Sequence, residues 1–235
     1  MRSFAASLAF LLAFLPAFTP AFAADADKPH PHQGLLEPYE AGPLGIALDD
    51  EELEDLARGA LVIITIEDED SGGRGIAIQD IAAPPELVWS RIRSFENYPD
   101  LVGPVKEAEI YRTDGNDTFT RTKISGFLYK YEYFLINTWH PEHAMLTWVM
   151  DYDRYSDFDD CVGVWFVEAH PEKENWSRAW FSTDLKLRAK IPGFLMNFIK
   201  KQGLKDATSW VKEQSEKAAG THSGKVRKEY DPNDL

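Results

Sequence analysis

The chain of 235 residues contains a single cysteine, Cys161. No internal disulfide can brace it, so the fold must stand on a packed core. Positive charge is also scarce: 25 Lys and Arg face 39 Asp and Glu, a formal charge of −14. This deficit excludes nucleic acid as a partner, because phosphate binding depends on Lys and Arg displacing counterions. It argues equally against strong attraction to anionic lipid headgroups and leaves room only for transient membrane contact. Long apolar runs are missing too, since no segment after residue 23 approaches the ~18 consecutive apolar residues of a membrane span. Catalytic signatures are absent: the chain has no Gly-x-Ser-x-Gly, no His-Glu-x-x-His and no placed Cys–His pair. Ser71-Gly-Gly-Arg-Gly75 has no Gly-Lys-Ser/Thr after it and no helix start, so it reads as a hairpin turn and not a phosphate loop.

The sequence is rich in aromatics, with 7 Trp, 9 Tyr and 14 Phe, and 44% of its residues are hydrophobic. That is enough for a sizeable core, with aromatics to spare for lining a cavity. At the N-terminus Arg2 precedes the apolar stretch from Phe4 to Phe14, and Ala21-Phe-Ala23 offers an Ala-x-Ala cleavage site. Residues 1–23 therefore read as a secretory signal peptide and the protein as exported, to an extracellular, lumenal or periplasmic space. The alternative is the first half of a bipartite plastid leader, against which stand the acidic residues Asp25, Asp27, Glu37 and Glu40. Two sequons, at Asn116 and Asn175, fall at expected turns and fit export.

Residues 24–60 read as a linker, dense in Pro and Gly up to residue 48, followed by a short acidic helix from Asp49 to Arg58 that Gly59 stops. His30 and His32 supply only two nitrogens, too few for a metal site, and no metal or cofactor is expected. The domain proper is placed at 61–218, and residues 219–235 read as a polar tail. Within the domain, strands are expected over Leu61–Ile66 and Gly75–Ile81, then a helix opened by Pro84-Pro85 and an apolar stripe of Leu87, Val88 and Ile92. A ladder of strands follows, broken by turn residues. Tyr131, Tyr133 and Leu135 share one face opposite Lys130 and Glu132, and Ala179, Phe181, Leu185 and Leu187 share one opposite Arg178, Ser182 and Asp184. This alternation predicts an antiparallel sheet with one wet and one covered face. From Pro192 to Lys217 a long helix carries Phe194, Leu195, Phe198, Ile199, Leu204, Ala207, Trp210 and Val211 as an apolar stripe.

Cys161, in an apolar run without a neighbouring base, reads as a small buried hydrophobe. The acids from Asp151 to Asp160 fail the calcium-loop spacing, because Tyr155 stands where a ligand is needed, and read as a solvated hairpin with Arg154. His140 and His143 flank Pro141 at an exposed turn and read as unpartnered.

Ile81-Ala-Ala-Pro84-Pro85-Glu86-Leu-Val-Trp89, Phe95-Glu-Asn-Tyr98-Pro99-Asp100, the strand ladder, and Leu185-Lys-Leu187 with Pro192-Gly-Phe194 carry a resemblance. From Arg74 to Lys217 the chain resembles the START-like (helix-grip) superfamily, in its polyketide cyclase/dehydrase and coenzyme Q-binding branch. The resemblance implies an α+β fold: a curved antiparallel sheet of about seven strands wrapped on a long C-terminal helix and enclosing a hydrophobic cavity. Under it the expected ligand-binding residues are Tyr131, Tyr133, Leu135, Trp148, Met150, Trp165, Phe181, Leu185, Phe194 and Phe198, with Asn137 as the group that orients the ligand. Any one of these aromatics is equally well explained as core filling; as a set they favour a cavity. The implied function is binding, and carriage, of an apolar small molecule such as an isoprenoid quinone or lipid, without a catalytic role. The alternative is a cyclase or dehydratase using the same cavity.

Overall fold

Two β-rich runs on either side of Gly72 fold back on each other to begin a sheet that continues through the whole chain. In the computed structural model, residues 24–42, 44–67, 72–125, 130–188 and 193–222 are described. The expected leader and the end of the polar tail lie outside the described residues. Strand β1 (Val62–Glu67) pairs antiparallel with β2 (Gly72–Ile81), Glu67 opposite Gly73, the hairpin expected around the glycines. Helix α1 (Asp50–Ala57) precedes them, held by a capping box between Asp49 and Glu52. Helix α2 (Pro85–Ile92) starts on proline, whose missing N–H costs nothing in a first turn. A 3-10 turn (Phe95–Asn97) and a short α3 (Tyr98–Leu101) lead into the ladder.

That ladder comprises β3 (Val105–Asp114), β4 (Asp117–Ser125), β5 (Lys130–His140), β6 (Met145–Met150), β7 (Phe158–Ala169) and β8 (Ser177–Leu187). All pairings are antiparallel, in the order β1-β2-β8-β7-β6-β5-β4-β3. The sheet has eight strands rather than about seven, because β1 extends it beyond β2. The long helix α4 (Gly193–Ala219) lies across the inner face. Among the described residues no helix is long and apolar enough to cross a membrane.

Alternation sorts side chains cleanly between the faces. Ala77, Ala179, Phe181, Trp165, Val167, Leu146, Trp148 and Met150 point inward and pack in one cluster with Leu204, Trp210 and Val211 of α4. This is the helical stripe expected from sequence. Gly75 makes the approach feasible: a Cβ there would stand 2.7 Å from Leu204 Cδ1. Gln79 Nε2 then donates to Thr208 O at 2.9 Å, pinning helix to strand.

The outer face departs from expectation, since much of it is dry. Residues 24–42 and 44–48, expected as a linker, are laid along it. Asp25 and Tyr155 exchange backbone hydrogen bonds at 2.9 and 3.0 Å. His30, only 5% exposed, is placed by its backbone bond to Tyr152 O and by Nε2 on Asp159 O at 3.0 Å. Tyr39 donates to Asp184 Oδ2 at 2.8 Å. Leu44, Ile46 and Leu48 close over a second cluster formed by Leu56, Val62, Ile76, Ile78 and Trp180. A Pro- and Gly-rich segment with no period of its own is thus ordered by distant partners.

The acidic segment is likewise structural and not a solvated hairpin. Asp160 is fully buried, its Oδ1 accepting from Tyr152 OH and Cys161 N, its Oδ2 from Leu36 N. Asp157 accepts from Glu132 N, and Asp151 from Tyr111 OH at 2.5 Å. These carboxylates stitch β5, β7 and the N-terminal strap together. His140 is not unpartnered, since its Nε2 lies 2.9 Å from Thr147 Oγ1. Both sequon asparagines are exposed in turns.

Candidate functional site

Between the inner face of the sheet and α4 lies a cavity of about 320 Å³. The curved sheet holds the helix off its centre, and side chains from β4 to β8 wall the gap. Tyr131, Tyr133, Leu135, Asn137, Trp148, Trp165, Phe181 and Leu185, all expected from sequence, line it. Met150 does not; it is fully buried in the surrounding core instead, because β6 ends there and its side chain packs behind the wall. The side chains of Phe194 and Phe198 lie outside the described residues.

Other liners are not among the ligand-binding residues expected from sequence, Leu146 of β6 and Leu204 and Trp210 of α4 among them. Phe95, Tyr98, Val102 and Pro104 come from the irregular segment around α3, Thr120, Thr122 and Ile124 from β4, and Phe158 and Leu187 from the ends of β7 and β8. The β4 set was legible as an alternating face, whereas the α3 segment carries no period that could have flagged it.

One wall is an aromatic strip. Phe181 sits 5.4 Å from Trp148 and 4.8 Å from Trp165, ring centre to ring centre. Tyr131 and Tyr133 both pack on Phe158, at 4.9 and 5.1 Å. Beside this strip, on the same face of the sheet, the lining is more polar, with Thr120 and Thr122 of β4 and Asn137 of β5. Tyr98 closes one end, its hydroxyl donating to Ile92 O at 2.5 Å and its ring 5.2 Å from Trp210.

The phenols of Tyr98 and Tyr131 and the thiol of Cys161 are held neutral. Burial pushes the Tyr98 and Tyr131 phenols above their ordinary value of 10.0. Burial likewise raises the Cys161 thiol to about 12, so this cavity-lining cysteine is an inert apolar group, as its context suggested. Asp206 of α4 is the one charged residue among the described liners, and Gln202 Nε2 donates to it at 2.7 Å. Among the described residues no group of three His, Cys, Asp or Glu is placed to hold a metal ion.

A second polar centre, not anticipated from sequence, lies away from the cavity. Asp80, 1% exposed, accepts from Arg178 Nε at 2.7 Å and lies 3.0 Å from His170 Nε2. His170 Nδ1 in turn accepts from the backbone N–H groups of Glu172 and Lys173. With both ring nitrogens engaged, this imidazole holds the β7–β8 turn in place.

No protein with a curated description matches the chain. Among solved structures, the protein TTHA0849 from Thermus thermophilus is 19% identical, with a TM-score of 0.54 over 62% of this chain and 99% of that one. The Zhui aromatase/cyclase from Streptomyces sp. R1128 is 13% identical, with a TM-score of 0.53 over 63% and 96%. A START superfamily protein from Mycobacterium smegmatis is 15% identical, with a TM-score of 0.53 over 62% and 98%. At these identities the likeness establishes the helix-grip fold. The family model described as "Polyketide cyclase / dehydrase and lipid transport" matches residues 81–209, more than half of the sequence. By that match, and with the sheet, helix and cavity it leads one to expect, the chain belongs to the polyketide cyclase/dehydrase and lipid transport family.

Proposed function

We propose that the protein binds and carries a hydrophobic small molecule in the cavity between its sheet and α4. The observation that carries this reading is the cavity itself: about 320 Å³, walled mainly by aromatic and aliphatic side chains, within the range of small-molecule sites. The family description, with lipid transport in it, supports the same reading. Carriage outside the cytosol, with residues 1–23 removed as a leader, is part of the proposal; N-terminal sequencing of protein from its own host tests it.

A cyclase or dehydratase in the same cavity is the second reading, favoured by the tyrosine hydroxyls of Tyr98, Tyr131 and Tyr133 along its wall. The Tyr98 and Tyr131 phenols, pushed above their ordinary value, are weak acids near neutral pH, which favours the carrier reading of the two. The deciding experiment is organic extraction of the protein purified from its host, followed by mass spectrometry. A stoichiometric apolar molecule supports carriage. An empty extract, with no thermal shift across quinones, sterols and fatty acids, would overturn it.

A further inference from the structure

The hydrogen bonds of Asn137 bear on which groups a ligand must bring, an argument that rests on the cavity-binding reading above. The orientation of its amide is fixed. Nδ2 lies 3.1 Å from Thr118 O, and a backbone carbonyl only accepts, so the NH₂ must be on that side. The other hydrogen goes to Thr120 Oγ1 at 2.9 Å. Both donors are engaged, and among the described residues nothing donates to Oδ1. Asn137 is 4% exposed and what it exposes faces the cavity. Thr120, also 4% exposed, accepts from Asn137 and gives its own hydrogen to none of the described residues. An unpaired acceptor and an unpaired hydroxyl hydrogen therefore stand close together on residues shielded from bulk solvent, where polar groups are costly to leave unsatisfied.

Two further features narrow the ligand. Asn137 and Trp148 are directly paired across β5 and β6, so whatever meets the amide begins at the edge of the aromatic strip. The described lining has no Lys, Arg or His, so an entering anion would find no counter-charge.

We infer that the cavity takes a neutral, ring-bearing alcohol or phenol. Its hydroxyl donates to Asn137 Oδ1 and accepts from Thr120 Oγ1, and its ring lies along Trp148 and Phe181. A hydroxyl, being both donor and acceptor, satisfies both groups. A ketone or quinone carbonyl can accept from Thr120 but leaves Oδ1 bare, and a carboxylate adds an unpaired charge.

The test is isothermal titration of the full chain with naphthol, naphthalene, methoxynaphthalene, tetralone and naphthoate. Naphthol is expected to bind about fivefold or more tighter than naphthalene, methoxynaphthalene or tetralone, with naphthoate weakest. In Asn137→Leu, the preference for naphthol over naphthalene is lost. Equal affinities for naphthol and methoxynaphthalene in the unmodified chain would overturn the inference, whether or not the variant folds. So would a naphthol preference that survives Asn137→Leu. Naphthalene needs only apolar space, so failure of all five to bind would sink the cavity-binding reading as well, whereas naphthalene binding without hydroxyl preference sinks the inference alone.

Discussion

Gly163 lies directly beneath the indole of Trp148. The two are cross-strand partners on β7 and β6, and a Cβ at position 163 would stand 2.1 Å from Trp148 Cζ2 and 2.6 Å from Ser182 O. Any side chain there would force the indole off the sheet, and the indole forms one wall of the cavity. Gly163→Ala is therefore expected to destabilise the fold by about 1–3 kcal/mol, the usual cost of overpacking. It should also alter the near-ultraviolet circular dichroism of the aromatic strip. Urea unfolding and near-ultraviolet spectra check this together; a variant unchanged in both would show that Trp148 is not seated as described.

How much of this could be read from sequence depended on whether an element's partners were local. The wall from Tyr131 to Asn137 follows from alternation within β5, a period-2 signal that needs no knowledge of what it faces. The stripe of Leu204, Trp210 and Val211 follows likewise from helical spacing. Tyr98 and Phe95 were invisible as liners, because the segment between α2 and β3 is irregular and its burial is set by packing on β3 and, through Tyr98 and Trp210, on α4. The strap failed to show for the same reason: His30 and Tyr39 find their partners at Asp159 and Asp184, far along the chain. The acids from Asp151 to Asp160 have an ordinary polar composition, and only the fold shows that Asp160 is an acceptor for three separate donors.

Asp80 is the most consequential of these distant meetings. Arg178 reaches it with Nε and Nη2, and Lys212 of α4 donates to its backbone oxygen. Replacing it by Asn leaves Arg178, whose side chain is 11% exposed, without its hydrogen-bonded carboxylate. Breaking a buried pair from one side costs about 3–5 kcal/mol. Asp80→Asn should lower the urea midpoint accordingly, with the loss shared by the β7–β8 turn and the end of α4. An effect within the range of ordinary surface substitutions would refute a central role. Burial alone would raise this carboxyl, but Arg178 and His170 overcome that and hold it below its ordinary 3.8. Its contribution is thus complete above that value and fades as pH falls through the folded-state value.

His30 ties the strap to the sheet in its neutral form. Burial lowers it from its ordinary 6.5, opposed by the carbonyl of Asp159, while Arg188 and His32 disfavour a further positive charge and Asp159 favours it. An imidazole lowered in the fold binds its proton more readily when unfolded, so the stabilisation is fully present above 6.5 and is lost as pH drops below it. Thermal unfolding should therefore occur at lower temperature at pH ~5.5 than at pH ~7.5. In His30→Asn that pH difference should shrink, with the overall midpoint lower. An identical pH slope in the two proteins would assign the effect to other groups.

Cys161 offers a probe of the cavity wall that needs no mutation. Its thiol is buried, raised to about 12, and lies 4.0 Å from Thr183 Oγ1. The thiolate is the reactive species, so at pH ~8 the folded protein should react with a charged thiol reagent only by opening. The chain has one cysteine, so the reaction reads a single site. Reaction should be slow in buffer, rise through the urea transition in step with circular dichroism, and reach one equivalent per chain. A ligand in the cavity contacts this wall, and by mass action it should slow the reaction further without changing the fully unfolded rate. Fast labelling of the folded chain would mean that the wall between β7 and β8 is open to water, and the cavity would then be a surface cleft.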